Sequence, residues 1–552
     1  MKKYYKVLKI IGVLAICLIV SNAVYYRFDL TSEGRYTLSE STKCILANLP
    51  EDVYVEVYLD GDLPSSFVRL RERTNELLTE FSNYSNKKIY FHFRNPNSIL
   101  DNKEKQGLIN SLVKRGIQPT SINRRKSDES LSQQIVFPAL MLWNSKKEMA
   151  VNLLKNNVNL PADLNINNSI ESLEYELINA VNVVSQQNKK NIGFLSGHNE
   201  IPKVETADLG RSLADFYNVD LVDCNEISRD YNKYSALVIS QPRKDFTEKD
   251  KLAIDQYIMH GGRCLWLIDQ VDAHLDSLRY KSSIFAFFKP VNIEDMLFNY
   301  GVRINPNLVL DGQCVLIPVK TSLPGEAAKY SPAPWYYSPL VTPKSNHAIV
   351  KDINPVRFDF ANTIDLVGND SKVKKTVLLN SSEYSRQLQV PCPVSLEIVQ
   401  EKVDPKVFNK RNLIMSVLLE GKFQSVFKHR MVDGEKLDES SDTKMIVVAD
   451  GDIIRNNVSG KGKNLRIYPL GYDRFSKRTY GNKAFLMNAI NYLCDNKGLM
   501  NLRAREYKLR ILNKSKVKED RSYWQYINIL LPLLIILISA IIYRIYRKKK
   551  YS

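Results

Sequence analysis

Residues 236–268 read ALVISQPRKDFTEKDKLAIDQYIMHGGRCLWLI, and this stretch decides the fold class. Its two ends are continuous apolar runs with the length and composition of buried strands. Between them, Thr247 followed three residues later by Asp250 has the form of a capping box at a helix start. Gly261-Gly262 is the expected signal for the end of that helix. Two buried strands joined by a helix are typical of a parallel sheet with both faces covered.

The same alternation of strands and helices continues on both sides of this stretch. Residues 191–195 and 219–222 predict two earlier strands with a helix between them, and residues 445–450 predict a late strand. We expect all of them to lie in one sheet. The predicted fold class is therefore α/β, with a doubly wound parallel-sheet, glutamine-amidotransferase-like domain over residues 169–500 and a mixed insertion at about 270–440.

A smaller α/β domain is expected at residues 27–168. Residues 53–59 and 89–93 alternate apolar and polar side chains, as strands do. Between these two segments, apolar residues recur at helical spacing. This strand–helix–strand order predicts a βαβ unit in a thioredoxin-like fold without the redox cysteines.

Two further segments complete the expected N-terminal domain. Ile135–Trp143 and Glu148–Leu154 flank a polar turn and predict a hairpin. Residues 121–130 read SINRRKSDES, and their polarity predicts a loop between elements.

An uncharged apolar segment lies near each end of the chain. Residues 1–26 contain IIGVLAICLIVSNAVYY, which predicts an N-terminal transmembrane helix. A cleavable signal peptide is the alternative, because a basic start and Ser21-Asn22-Ala23 also fit one. Residues 523–546 predict a C-terminal transmembrane helix with aromatic side chains at both edges, as expected where rings meet lipid head groups.

The net charge of +18 is unevenly distributed. Half of the excess lies in two short tails, formed by Lys2, Lys3, Lys6, Lys9, Arg544, Arg547, Lys548, Lys549 and Lys550. The rest is spread along the chain, so we expect no nucleic-acid partner.

The basic tails also predict how the chain crosses a bacterial inner membrane. Such tails favour the cytoplasm, so two spans place both termini there and residues 27–522 in the periplasm. Residues 501–522 form a basic juxtamembrane segment, which either contacts anionic head groups or a partner or is a solvated helix. Residues 547–552 form a basic cytoplasmic tail.

The sequence carries no strong catalytic or metal-binding signature. It has seven scattered cysteines without a CxxC pair, which supports neither a zinc site nor a redox pair. No HExxH, GxSxG or phosphate-binding loop occurs. An amidotransferase-like enzyme needs a cysteine on a strand-to-helix turn, and Cys264 lies inside a predicted strand. We therefore expect a non-catalytic protein with neither metal nor cofactor.

A group of polar residues, from Ser196 to Glu200, directly follows the predicted strand at 191–195. The carboxyl ends of the strands are where a doubly wound sheet binds ligands. The alternative is a turn in which glycine permits a positive φ and polar side chains cap the next helix. Asp450 ends another strand and is expected at the same edge. The candidate ligand-binding residues are Ser196, Gly197, His198, Glu200 and Asp269.

Several longer stretches resemble the auxiliary subunits of bacterial ABC transporters. They are similar in particular to the gliding-motility-associated "G" component of the Bacteroidetes, a putative substrate-binding component. The stretches are RFDLTSEGRYTLSESTK (27–43), FLSGHNE (194–200), residues 246–269, VNIEDMLFNYGVRINPNLVLD (291–311), VVADGDIIRN (447–456) and residues 481–506. The family usually has Ser-Gly-His-Gly-Glu where this chain has Asn199 in place of the second glycine.

The resemblance implies an inner-membrane subunit that works with a multi-span permease and, through it, a cytoplasmic ATPase. It also implies a link to gliding motility and secretion. We expect a non-catalytic subunit that couples a large periplasmic region to the permease. The alternatives are a periplasmic substrate-binding module with a pocket near His198 and a membrane-tethered hydrolase.

Overall fold

The computed structural model describes two separate compact units of the chain. The first covers residues 37–505, apart from gaps at 126–130, 156, 158–159, 187, 280, 282, 321, 323–328, 369–371, 400–404, 433 and 461. The second is the helix within residues 518–551. The expected N-terminal span at 1–26 and most of the basic segment 501–522 lie outside the described residues.

The first part of the larger unit is a four-stranded sheet with helices. The strands are ordered β2-β1-β5-β6, and β1 and β2 are parallel, which confirms the predicted βαβ unit. The thioredoxin-like assignment stays a prediction. The elements are α1 (Glu40–Ala47), β1 (Val53–Val57), α2 (Ser65–Tyr84), β2 (Ile89–Phe93), α3 (Asn102–Lys114), β3 (Thr120–Arg125), β4 (Leu131–Val136), β5 (Ala139–Trp143), β6 (Glu148–Asn152) and α4 (Ala162–Ser185).

The predicted loop at 121–130 is wrong for its first half. Residues 120–125 form β3, which pairs antiparallel with β4 at 131–136. The two strands form a separate ribbon, so their sequence lacks the apolar alternation of a strand over a core. Pro138 stands between β4 and β5, so the strand predicted at Ile135–Trp143 is two strands.

The doubly wound region begins with four strands and two helices close to their predicted positions, and with a third helix, Cys224–Arg229, that the sequence did not predict. The capping box is confirmed, because Asp250 N donates to Thr247 Oγ1 at 3.2 Å and Thr247 N donates to Asp250 Oδ2 at 3.1 Å. Gly261 takes a positive φ of 89° just after the helix. The elements are β7 (Asn191–Leu195), α5 (Ala207–Ala214), β8 (Asn218–Val222), α6 (Cys224–Arg229), β9 (Ala236–Ser240), α7 (Glu248–Met259) and β10 (Cys264–Leu267).

The insertion is made mostly of short antiparallel pairs. Its elements are β11 (Val271–Asp272), β12 (Ser283–Phe288), α8 (Glu294–Tyr300), β13 (Val302–Ile304), β14 (Asn307–Asp311), β15 (Cys314–Lys320), β16 (Tyr330–Val341), β17 (Val356–Arg357), β18 (Ile364–Leu366), β19 (Val373–Asn380), β20 (Ser385–Gln389), β21 (Cys392–Ser395) and β22 (Ile414–Gly421). After it come β23 (Thr443–Val448), β24 (Val458–Ser459), β25 (Arg466–Ile467), β26 (Tyr472–Asp473), β27 (Arg478–Thr479), α9 (Asn482–Cys494) and α10 (Asn501–Ala504).

A seven-stranded sheet organises the second region, in the order β19-β22-β23-β10-β9-β7-β8. The five strands from β23 to β8 are parallel, so the late strand returns to this sheet as predicted. The insertion adds two strands that the sequence did not predict in this sheet: β22, which is antiparallel to β23, and β19, which pairs antiparallel with β22. The next two strands in the chain, β8 and β9, lie on opposite sides of β7. The topological switch point is therefore between β7 and β9.

Both faces of this sheet are covered by helices. Val238 and Leu265 pack in the same core as Phe485 of α9. Leu237 and Trp266, which alternate with them, pack in a second core with α7. Because each strand buries both of its faces, its sequence is continuously apolar. This is the physical reason that the apolar runs predicted the sheet correctly; the amidotransferase likeness stays a prediction.

The smaller unit is the helix α11 (Arg521–Tyr551), with Pro532 in its interior. Within Arg521–Lys549 an 18-residue stretch has a mean hydropathy of 2.4, and none of the residues in that stretch is buried. Twenty-nine residues at 1.5 Å each span about 43 Å, more than the hydrocarbon core of a bilayer. Among the described residues this is the helix long and apolar enough to cross a membrane, which suggests membrane association.

Candidate functional site

The turn after β7 lies at the carboxyl edge of the sheet, beside the switch point. The amides of Arg243 and Lys244 donate to the carbonyl oxygen of His198 at 2.8 and 3.0 Å, and Ile201 N donates to Ser240 O at 3.3 Å. These bonds tie the turn after β7 to the turn after β9. The sequence therefore placed the candidate residues at the correct edge.

Two residues in this turn adopt the left-handed conformation. Gly197 has a φ of 121° and Asn199 a φ of 55°. A Cβ on Gly197 would meet nothing within 4 Å, so its backbone conformation and not close packing favours glycine. Asparagine is among the residues that tolerate a positive φ best. The turn therefore accommodates Asn199 in the left-handed conformation that glycine also adopts.

The His198 side chain is held between two carboxylates. Its Nδ1 lies 3.4 Å from Glu200 Oε1, and its Nε2 lies 3.4 Å from Asp250 Oδ2. Its ring stacks on Phe246 with the centroids 3.8 Å apart and an angle of 11° between the planes. Only 6% of His198 is exposed. The ring is thus fixed in position and orientation.

The charges around His198 determine its protonation. Burial alone would lower the pKa of His198, but hydrogen bonds and attraction from Glu200 and Asp250 outweigh burial and raise it. Burial would raise the pKa of Asp250, but hydrogen bonds from Thr247 and His198 lower it. His198 and Asp250 therefore both favour their charged forms.

Cys224 joins these residues from the next turn along the edge. It begins α6 directly after β8, and its potential ligand atom lies within 4.8 Å of those of His198 and Asp250. Burial and the nearby Asp250 raise the pKa of its thiol. We call His198, Glu200, Cys224 and Asp250 the His198 cluster. The sequence interpretation missed Cys224, although a cysteine just after a strand was a usable signal.

Asp269 lies at the same edge but in a different group of side chains. It accepts hydrogen bonds from Gln241 Nε2 and from the backbone amide of Gly451. Arg455 Nη2 donates to Gln241 Oε1 at 3.1 Å, and Arg455 Nη1 lies 3.0 Å from Asp452 Oδ1. We call this group the Asp269 cluster, which consists of Gln241, Asp269, Asp450, Asp452 and Arg455.

The Asp269 cluster concentrates buried carboxylates. Burial and the charge of Asp452 raise the pKa of Asp269, and burial together with Asp269 and Asp452 raises that of Asp450. Burial also disfavours the charged form of Asp452, but His274 and Arg455 outweigh it and lower its pKa. Asp452 is therefore the carboxylate of this cluster most favoured to be ionised.

The candidate residues thus have different roles in the structure. His198 and Glu200 contact each other, whereas Asp269 lies in the neighbouring cluster. Ser196 donates from both its amide and its hydroxyl to Val222 O, at 2.9 and 3.2 Å, and so fixes the turn to the end of β8. Cys264 is buried within β10, as expected. Ligand binding by any of these residues stays a prediction.

Comparison with known proteins gives one informative result. A family model described as an ABC-type uncharacterized transport system matches residues 189–489, more than half of the chain. A second model, a domain of unknown function (DUF7088), matches residues 32–142. Both clusters lie within the first match.

The other comparisons add little. No curated protein matches the chain. A solved structure titled "mmIFT52 N-terminal domain" is 14% identical and covers 55% of this chain and 98% of its own, with a TM-score of 0.31. A score that low supports no structural inference.

Proposed function

This chain belongs to the ABC-type uncharacterized transport system family, and from that premise we propose that it is a non-catalytic auxiliary subunit of an inner-membrane ABC transporter complex. In this proposal it couples a large periplasmic region, residues 27–522, to a permease and through the permease to a cytoplasmic ATPase. Spans at both ends anchor it, with both termini in the cytoplasm. A role in gliding motility and secretion is the most specific part of the proposal.

The family match carries this proposal, and α11 supports it. The helix is apolar and none of its candidate span is buried by the rest of the chain, so it needs lipid or other helices around it. Asn528 is exposed on this apolar helix. An exposed amide within a span favours a hydrogen bond to a neighbouring helix, which contributes about 1 kcal/mol.

The geometry of the His198 cluster favours a non-catalytic role over a membrane-tethered hydrolase. The imidazole of His198 is engaged on both sides by carboxylates, so it is poorly placed as a general base. A thiol whose pKa is raised by burial is a weak nucleophile. The burial of His198 also disfavours an open ligand pocket around its ring.

Affinity purification of the full chain from mild detergent tests this proposal. We expect a multi-span permease and an ATPase to co-purify, as identified by mass spectrometry. Asn528→Leu should reduce their recovery, whereas Ile529→Leu, a change at the adjacent exposed position, should not. Recovery of neither partner with the unaltered chain would contradict the proposal.

Protease treatment of spheroplasts tests the topology separately. We expect external protease to digest the region 37–505 and to leave the basic tail 547–552 intact. Protection of the large region together with loss of the tail, which would then face the external protease, would overturn the proposed orientation.

A further inference from the structure

We propose that His198, Cys224 and Asp250 bind a divalent transition-metal ion of the zinc class. The three residues follow three adjacent strands, β7, β8 and β9, and the sheet brings them to one edge. The proposal does not depend on the transport role, because it rests on these side chains alone.

The distances suit a metal ion without a large rearrangement. His198 Nε2 and Asp250 Oδ2 are 3.4 Å apart, and all three ligand atoms lie within 4.8 Å of one another. Tetrahedral zinc with bonds of 2.0–2.3 Å separates neighbouring ligand atoms by about 3.3–3.8 Å. The histidine and carboxylate are already at this separation, so only a small movement of the sulfur is needed.

Glu200 orients the histidine as metal sites require. Its Oε1 faces His198 Nδ1 at 3.4 Å, and its Oε2 accepts from the His198 amide at 2.9 Å. A metal-binding histidine usually donates its other ring N–H to a carboxylate, which fixes the tautomer and directs the second nitrogen at the ion. Here that second nitrogen, Nε2, faces Asp250. Stacking on Phe246 further restricts the ring.

The donor set selects the class of metal. Sulfur, imidazole nitrogen and carboxylate oxygen together suit Zn²⁺ and similar ions, whereas Ca²⁺ and Mg²⁺ favour oxygen ligands alone. On binding, a metal–sulfur bond forms, the Cys224 S–H bond breaks and its proton passes to solvent. His198 binds through neutral Nε2, so the proton that this nitrogen carries in the charged imidazole also passes to solvent on binding. Three protein ligands leave a fourth position for water.

Cobalt titration of the metal-free full chain in detergent tests the proposal. Co²⁺ is expected to bind with one equivalent per chain and to give a thiolate-to-cobalt charge-transfer band, and Zn²⁺ should displace it. Cys224→Ser should abolish the band and weaken binding at least 100-fold. Cys44→Ser, a change at an exposed cysteine outside the cluster, should alter neither.

Two further variants keep the test decisive if Cys224→Ser fails to fold. Asp250→Asn retains the size of the side chain and should weaken Co²⁺ binding while the charge-transfer band persists at saturation. Glu200→Gln should weaken binding about 10–100-fold, because Glu200 positions the ring without touching the ion. Absence of the band in the unaltered protein, or unchanged affinity in these variants, would overturn the proposal.

Discussion

The His198 and Asp269 clusters lie at the same edge of one sheet, yet they balance charge in opposite ways. In the first, carboxylates flank a single imidazole and raise the pKa of that base. In the second, several buried carboxylates share few cations, and the pKa of the acid Asp269 rises instead. The local ratio of acids to bases, and not the position at the carboxyl edge of the sheet, therefore determines which side chains are protonated.

Removing the cation from the Asp269 cluster should have the largest effect. Arg455→Met takes away the guanidinium beside Asp452 and leaves a carboxylate that is 10% exposed. Breaking such a buried pair costs about 3–5 kcal/mol of unfolding free energy. Chemical denaturation followed by circular dichroism measures this loss.

An exposed ion pair provides the control for Arg455. Arg303 lies 2.7 Å from Asp365 with about half of each side chain exposed, so Arg303→Met should cost less than about 1 kcal/mol. Equal losses of unfolding free energy in the two variants would show that Arg455 stabilises the Asp269 cluster no more than Arg303 stabilises an exposed ion pair.

The pH dependence of stability should identify Asp269 as an acid disfavoured in its charged form. Burial, followed by the charge of Asp452, raises the pKa of Asp269 from 3.8 to about 6 in the folded chain. Its ionisation therefore destabilises the fold increasingly from about pH 4 to pH 6. The Asp269→Asn variant has no carboxyl group to ionise at this position. Its unfolding free energy should therefore rise by about 3 kcal/mol relative to that of the unaltered protein over this range.

This prediction concerns how the difference in unfolding free energy between the two proteins changes with pH. A contribution to that difference that is the same at every pH does not affect it. Denaturation of both proteins at matched pH values measures the change directly. A difference that is constant from pH 4 to pH 6.5 would mean that Asp269 ionises normally.

Removing the base from the His198 cluster should have a smaller effect, because its carboxylates are less crowded. In metal-free protein, His198→Gln should cost about 2 kcal/mol, since it leaves Glu200 and Asp250 without their shared partner. Adding Glu200→Gln should recover part of the loss by removing one charge. Thermal denaturation of the single and double variants measures both effects.

His92 is the matched control for His198. Its Nε2 also faces a carboxylate, Glu56, at 3.3 Å, but its side chain is 61% exposed. His92→Gln should therefore change stability by less than about 0.5 kcal/mol. If His198→Gln has as small an effect, the cluster contributes nothing beyond a surface pair.

The smallest expected effect concerns the ring stack that distinguishes the His198 cluster. Phe246→Leu keeps an apolar side chain but removes the stacking on His198, and it should cost about 1 kcal/mol. Phe285→Leu removes an exposed stack on Phe287 and should be nearly neutral. Similar losses of stability in both variants would show that the stack on His198 contributes no more than an exposed stack does.

The sequence predicted the large sheet because its strands are buried on both faces. The runs at β9, β10 and β23 are continuously apolar for that reason, and the capping box at Thr247 is a purely local signal. The strand β3 lacks such a signal, so the polar sequence of residues 121–130 predicts a loop there. The sequence does not predict β19 and β22 in this sheet, because tertiary pairing decides their place there.

The candidate site was predicted only where its residues are neighbours in the chain. His198 and Glu200 share one turn and were found together. Asp250 was recognised as a capping residue, but the same carboxylate also faces His198 across the edge. Cys224 is distant from both in sequence. The pairing of β7 with its two neighbours brings these residues together, and no local pattern encodes that pairing.

The pairing of β10 also has a consequence for the order in which the protein acquires its structure. Cys264 pairs with Leu237 on one side and with Met445 on the other, so one neighbour is synthesised shortly before β10 and the other long after it. Until the chain has been extended past the insertion, the apolar strand β10 presents unpaired backbone groups along one side. Such long-range pairing slows folding and exposes a strand edge to self-association. A chain that ends within the insertion is therefore expected to aggregate during synthesis.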